Sequence, residues 1–168
     1  FTGAAPQRIG PYRVLSVLGT GGMGLVYLAE HEELGRRVAL KVIHSVFAQT
    51  PKARARLQRE ATIASRLDHS GICPVYEVGE ADGAPFLAMR FVPGTTLARA
   101  IADSLAREQR PVALPARDGN SGIAALLRFG EDAALALHTA HEAGLVHRDV
   151  KPGNLMVTPD GAPVLLDF

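Results

Sequence analysis

The run His147-Arg148-Asp149-Val150-Lys151-Pro152-Gly153-Asn154, with Asp167-Phe168 closing the chain, decides how this sequence is read. It sets two acids, a lysine and a carboxamide at fixed short spacings. Leu145-Val146 precedes it and Leu155-Met156-Val157 follows, so the polar loop is expected between two short strands, the rigid setting in which functional loops occur. The residue types match what phosphoryl transfer needs, because its catalysis is mostly positioning and electrostatics. A reacting γ-phosphate requires an acceptor for the incoming hydroxyl's proton, a cation beside the developing charge, and oxygen ligands for magnesium. Asp149, Lys151, Asn154 and Asp167 would supply them in that order.

Far upstream, Gly19-Thr20-Gly21-Gly22-Met23-Gly24 separates the strand-like Tyr12-Arg13-Val14-Leu15-Ser16-Val17-Leu18 from Leu25-Val26-Tyr27-Leu28-Ala29-Glu30. A lone G-x-G-x-x-G also marks dinucleotide-binding folds, where the third glycine opens a helix. Here the residues after Gly24 are β-formers without a helical period, so the reading is a hairpin. Turn chemistry alone explains glycines that supply positive φ. The functional reading adds that a backbone without Cβ atoms can close over a triphosphate and offer it N–H groups.

A third strand is expected over Arg36-Arg37-Val38-Ala39-Leu40-Lys41-Val42-Ile43. Its alternation puts Val38, Leu40 and Val42 on one face and Ala39, Lys41 and Ile43 on the other. From Pro51 to about Leu67 the period becomes helical, with Leu57, Ala61, Ala64 and Leu67 on one stripe and Glu60 on the same stripe. A lysine among apolar neighbours commonly snorkels to solvent, and Glu60 could simply pair with Arg56 at i−4. A carboxylate facing a core nonetheless needs a partner, and Lys41 meets it if strand and helix pack together. Further strands are read at Val75 to Glu80 and Phe86 to Val92, joined by a turn at Asp82-Gly83. Helices follow from Thr96 to about Glu108 and from Ile123 to Ala143, the latter capped by Gly144. Between them the Pro/Gly-rich stretch 110–122 reads as a solvated surface loop. Gly130 inside the second helix either admits close packing or weakens the helix by about 1 kcal/mol.

Composition excludes other classes. With 47% hydrophobic and 21% charged residues and a net charge of +1, the chain gives no electrostatic case for nucleic acid or membrane binding. The single cysteine, Cys73, cannot form an intrachain disulfide, and no Cys/His cluster has zinc spacing. No apolar run approaches the roughly 18 residues that span a bilayer. A cytoplasmic setting is expected, with any membrane tether in a segment beyond this chain.

The wording Gly21-Gly22-Met23-Gly24-Leu25-Val26-Tyr27 together with His147 to Asn154 resembles the bacterial serine/threonine protein kinases of eukaryotic type, over about residues 10–168. The resemblance implies an α+β, two-lobe protein kinase-like fold: a five-stranded antiparallel N-lobe with one main helix, then the first part of a mainly helical C-lobe. It implies one truncated catalytic domain, with the N-lobe at about 10–89, a hinge at 90–94 and a partial C-lobe at 95–168 ending at the Asp-Phe of the metal-binding motif. It also implies ATP and Mg2+ as cofactors, with Mn2+ as an alternative, serine- and threonine-bearing protein substrates, and homodimer formation for autophosphorylation.

By the same resemblance, Asp149 is the catalytic base, Lys151 steadies the transferring phosphoryl, and Lys41 paired with Glu60 holds the α- and β-phosphates. Asn154 and Asp167 ligate the metal. Leu18, Gly19, Thr20, Gly21, Gly22, Met23 and Gly24 cover the nucleotide. Val26, Ala39 and Met156 pack on the adenine with Met89 the bulky residue behind its pocket, and the backbone of Arg90 and Val92 hydrogen-bonds its edge. Lys151, two after the aspartate, matches the serine/threonine class. His147 and Phe168 are expected to stack internally, and Arg148 beside the base implies control by phosphorylation. A small-molecule phosphotransferase of related fold and a non-catalytic nucleotide-binding scaffold are the alternatives. The first generally lacks the Arg-Asp-x-Lys-Pro run; the second usually loses one of the residues at Lys41, Asp149 and Asp167, all present here.

Overall fold

Period-two patterning folds as antiparallel strands: β1 (Arg8–Ile9), β2 (Tyr12–Gly21), β3 (Gly24–His31), β4 (Arg36–Ile43), β5 (Val75–Ala81) and β6 (Ala84–Arg90). The computed structural model describes residues 6–21, 24–44, 50–106, 114–115 and 122–168. These strands form one six-stranded sheet in the order β1-β2-β3-β4-β6-β5. The five expected strands are thus joined by β1, whose two residues are too few for a period to register. The chain divides into two units, the first holding Phe1–Ser65 and Pro74–Phe91, the second Arg66–Cys73 and Val92–Phe168.

In the first unit the sheet curls until its two sides meet. Tyr12 of β2 donates its hydroxyl to Glu77 Oε2 of β5 at 2.5 Å, although β3, β4 and β6 stand between those strands. Inside the curl lie Tyr27, Ala29, Val38, Leu40, Val42, Phe86 and Ala88. The Phe86 ring meets Tyr12 edge-on at 5.8 Å and fills the space a side chain at Gly79 would need, with its Cζ 2.3 Å from where a Cβ would stand. Burial of Tyr12, reinforced by the hydrogen bond to Glu77 and that carboxylate's charge, pushes the phenol pKa far up, so it stays a neutral donor. Asp82 and Gly83 turn β5 into β6 with φ of 50° and 75°, the left-handed pair of a tight hairpin.

Helix α1 (Pro51–Ala64) starts where Thr50 Oγ1 accepts from the Ala53 N–H at 3.1 Å and Pro51 occupies the first turn. It packs along β5 and buries Ala61 and Ala64 as the stripe requires. It stops short of Leu67, because Ser65 turns its hydroxyl onto Thr62 O and caps the end. The side chains of Arg56 and Leu57 lie outside the described residues.

The second unit contains β7 (Thr95–Thr96), α2 (Leu97–Ala106), α3 (Gly122–Glu142), β8 (Leu155–Val157) and β9 (Pro163–Leu165), with β7-β8-β9 forming a small sheet. Residues 107 and 108, expected to end α2, lie outside the described residues. Segment 66–73 belongs here: Cys73 N donates to Leu165 O at 2.9 Å and Leu165 N to Gly71 O at 2.8 Å. After α3 comes Gly144 at φ 78°, with Gly144 N bonded to His141 O and Leu145 N to Ala140 O, which is a Schellman cap. That cap corrects one expectation: Leu145-Val146 is not a strand, since the Leu145 N–H is spent on the helix end.

Leu114, within the stretch 110–122, is a second correction. Residues 110–113 and 116–121 lie outside the described residues, but Leu114 is buried beside Ala125 and Phe129 of α3 and Val157 of β8 rather than solvated. Burying a leucine side chain is worth about 2 kcal/mol, enough to draw this point of a polar segment inward. Gly130 has nothing within 4 Å of where a Cβ would stand, which favours the simple helix-weakening reading. No helix among the described residues is long and apolar enough to cross a membrane.

Candidate active site

Register places the first unit's candidates on one face. Val26 pairs with Lys41 and Lys41 with Leu87; Leu28 pairs with Ala39 and Ala39 with Met89. Their neighbours Tyr27, Leu40 and Ala88 turn into the closed core, so Val26, Ala39, Lys41 and Met89 share the opposite face of three adjoining strands. Lys41 is half-buried at mid-strand, and Glu60 is half-buried on α1. Met89 is buried, and the Arg90 N–H donates to Pro74 O at 3.1 Å. Arg90 can therefore offer an adenine at most its carbonyl oxygen. Val92 is half-buried just beyond the last strand of this unit.

The glycine hairpin distributes its glycines by cause. Gly24 has φ 157° and no room for a side chain, since a Cβ would stand 1.9 Å from Val42 O. Gly19 and Gly21 face open space, with nothing within 4 Å. Of the three described glycines, only Gly24 is thus a glycine for the fold's own sake; Gly19 and Gly21 leave backbone open to an incoming group. Leu18 and Thr20 are exposed on β2, while Gly22 and Met23 lie outside the described residues.

In the second unit the loop gathers around Asp149. Lys151 Nζ donates to Asp149 Oδ2 at 2.6 Å, and Asn154 Nδ2 donates to the same oxygen at 3.0 Å and to Asp149 O at 2.9 Å. The Lys151 hydrogen bond above all, with Asn154 and the nearby cationic charge, holds the Asp149 carboxyl below its ordinary range despite some desolvation. Pro152–Asn154 forms a 3₁₀ turn that carries Asn154 inward, where it is buried. Because its Nδ2 is engaged with Asp149, its amide oxygen is the atom left for a cation.

Arg148 and Asp167 adopt φ of 62° and 58°, left-handed values that an arginine rarely takes and that cluster at functional sites. His147 is 4% exposed and packs on Phe168 with ring centroids 4.7 Å apart, so these two stack as expected. Its Nδ1 lies 3.4 Å from the Asp149 N–H. Met156 is half-buried in β8, paired with Thr96 and Val164. The described residues hold no cluster of three or more His, Cys, Asp or Glu able to bind a metal. A carboxylate from Asp167 and the carboxamide oxygen of Asn154 would together suit Mg2+, which keeps several waters and shares phosphate oxygens. The Leu166 N–H bond to Asn154 O, at 2.9 Å, sets Asn154 beside the strand that leads into Asp167.

Comparison with known proteins gives the family of the chain. A family model described as the protein kinase domain matches residues 12–168. The serine/threonine-protein kinase PknH of Mycobacterium tuberculosis is 40% identical over 162 residues, covering 96% of this chain and 24% of that protein. PknD of the same organism is 41% identical over 168 residues, covering 98% and 23%. The crystal structure of the M. tuberculosis PknI kinase domain superposes with a TM-score of 0.77 at 36% identity, covering 95% of this chain and 59% of that one. The chain thus spans about a quarter of the curated relatives' length and about three-fifths of the solved kinase domain.

Proposed function

The chain belongs to the protein kinase family, and on that premise we propose that the protein transfers the ATP γ-phosphoryl group to serine and threonine hydroxyls of proteins, itself included. Residues 10–168 are taken as part of one catalytic domain, with the passage between units at 90–94. The observation that carries the reading is the Asp149 carboxylate, held in place by Lys151 and Asn154 at hydrogen-bonding distance.

A hydroxyl of the substrate protein would donate to Asp149, which aligns its oxygen for attack on the γ-phosphorus. The new O–P bond forms as the bond between the γ-phosphorus and the β–γ bridging oxygen breaks, and ADP departs. With its pKa lowered, Asp149 is a weak base, so it mainly orients the hydroxyl and takes its proton as the new bond forms. Lys151 lies against the same carboxylate and offers positive charge to the transferring group.

In the first unit, Gly19, Thr20, Gly21 and Gly24 would bring backbone N–H groups to the phosphates, and Lys41, steadied by Glu60, would hold the α- and β-phosphates. Val26 and Ala39 would offer an apolar face for the adenine with Met89 behind it, and the backbone of Arg90 and Val92 would hydrogen-bond its edge. Asn154 and Asp167 would hold Mg2+, which neutralises phosphate charge when bound. Lys41, Asp149 and Asp167 are all present, which supports catalysis over a non-catalytic scaffold.

The test is Mg2+-dependent transfer of labelled γ-phosphate by the full-length protein to itself and to a generic serine/threonine substrate, followed by identification of the modified amino acid. Label on serine or threonine that both Asp149→Asn and Lys41→Met abolish is the expected result. Tight Mg·ATP binding without any transfer would count against it.

A further inference from the structure

Asn154 and Asp167 flank a single hairpin, made of β8, the turn 158–162 and β9. One end is tied by the Leu166 N–H bond to Asn154 O at 2.9 Å. The turn is tied by Thr158, whose Oγ1 accepts from the Ala162 N–H at 2.8 Å and donates to Ala162 O at 2.9 Å. Gly161 N closes the same turn onto Thr158 O at 2.9 Å. So short a ladder, bonded at both ends, moves as one piece, and a displacement at its turn reaches its ligand-bearing ends.

Two contacts from the segment between α2 and α3 fall on this hairpin. Leu114, 9% exposed, fills the gap among Val157 of β8 and Ala125 and Phe129 of α3. The carbonyl oxygen of Pro115 lies 2.4 Å from where a Cβ on Gly161 would stand, at φ 83°, so only glycine lets the two backbones approach this closely. β9 packs directly on α3, and Val157 of β8 shares one buried cluster with Leu114 and with Ala125 and Phe129 of that helix. We infer that Leu114 and Pro115 brace the hairpin against α3 and are positioning residues for Asn154 and Asp167, an assignment that rests on the kinase reading. The segment at 114–115 is then a working part of the metal end of the site, acting through β8 and the 158–162 turn.

Mn2+ serves as the probe, titrated by electron paramagnetic resonance into the full-length protein holding a non-hydrolysable ATP analogue, with thermal melts alongside. Leu114→Ala and Gly161→Ala are each expected to weaken Mn2+ binding by about tenfold, the scale of lost outer support at metal sites. Nucleotide binding measured without metal should stay unchanged, and Leu114→Met should restore Mn2+ affinity. If Leu114→Ala fails to fold, Gly161→Ala and Leu114→Val read the same contact. A folded variant that melts earlier yet binds Mn2+ like the wild type overturns the inference. Wild type that binds nucleotide but no Mn2+ overturns it as well; wild type that binds neither overturns the kinase reading and this inference together.

Discussion

Replacing Gly24 by alanine tests whether the last glycine of the loop is there for the fold. The new Cβ would stand 1.9 Å from Val42 O and 2.9 Å from Val42 C. Ordinary carbon–oxygen contact begins near 3.3 Å, so β3 and β4 would have to part by about 1.4 Å at this point. Holding the pairing would cost about 1–3 kcal/mol in overpacking and about as much again in backbone strain at φ 157°. Releasing the Gly24–Ile43 and Leu25–Val42 pairs instead gives up hydrogen bonds worth about 1 kcal/mol each. Release is the lower path. A loss of about 2 kcal/mol follows, which lowers the melting temperature of a chain this size by about 4–8 °C. Because the opened ladder ends beside the Val26–Lys41 pair, affinity for an ATP analogue should fall too. Gly19→Ala is the control: with open space around it, stability should stay within about 0.5 kcal/mol while nucleotide binding weakens. Thermal melts and analogue titrations of the three proteins suffice. Gly24→Ala melting with the wild type, or Gly19→Ala melting as early as Gly24→Ala, would refute the reasoning.

Lys151→Met removes the main cause of Asp149's lowered pKa, so the carboxyl should titrate at higher pH. A depressed carboxyl stabilises the fold above its unfolded pKa and loses that contribution as pH falls through its folded value; the variant, its carboxyl nearer the unfolded value, should have less of it to lose, and carbon-13 NMR titration of Asp149 reads the upward pKa shift directly. Gly130→Ala, at an exposed position in α3 with nothing within 4 Å, should stabilise the protein by about 1 kcal/mol in denaturant melts. Gly79→Ala should destabilise by about 1–3 kcal/mol by driving a methyl into the Phe86 ring. Adding Phe86→Leu should recover part of that loss in a double-mutant cycle; strict additivity would show that the ring is not what excludes the methyl.

Much of the architecture was legible because local signals agreed with one another. The alternation of 36–43 placed Lys41 away from Val38, Leu40 and Val42, and the glycines of 19–24 stood between two β-forming runs. The contacts within the loop were legible because Asp149, Lys151 and Asn154 lie close enough in sequence to meet whatever surrounds them. What escaped depends on distant partners. Nothing local links Tyr12 to Glu77, 65 residues away, and a leucine between two prolines carries no period to announce that Leu114 is buried. The left-handed φ of Arg148 was invisible, since arginine has no preference for it and the surrounding loop imposes it. Leu145-Val146 read as a strand by composition, but the preceding helix claimed the first N–H.

The two-residue length of β1 bears on how this protein behaves in a crowded solution. A sheet edge offers rows of amide donors and acceptors to any extended chain, and long flat edges seed polymerisation. Here one margin ends in Arg8–Ile9, whose arginine also pairs with Glu32 at 2.9 Å. The other margin is β5, interrupted by a register shift between Val75 and Glu77 and lined by α1. Among the described residues neither margin offers a foreign strand a long, regular template, so the curled sheet is guarded against fibril-like growth by the brevity of one border and the irregularity of the other.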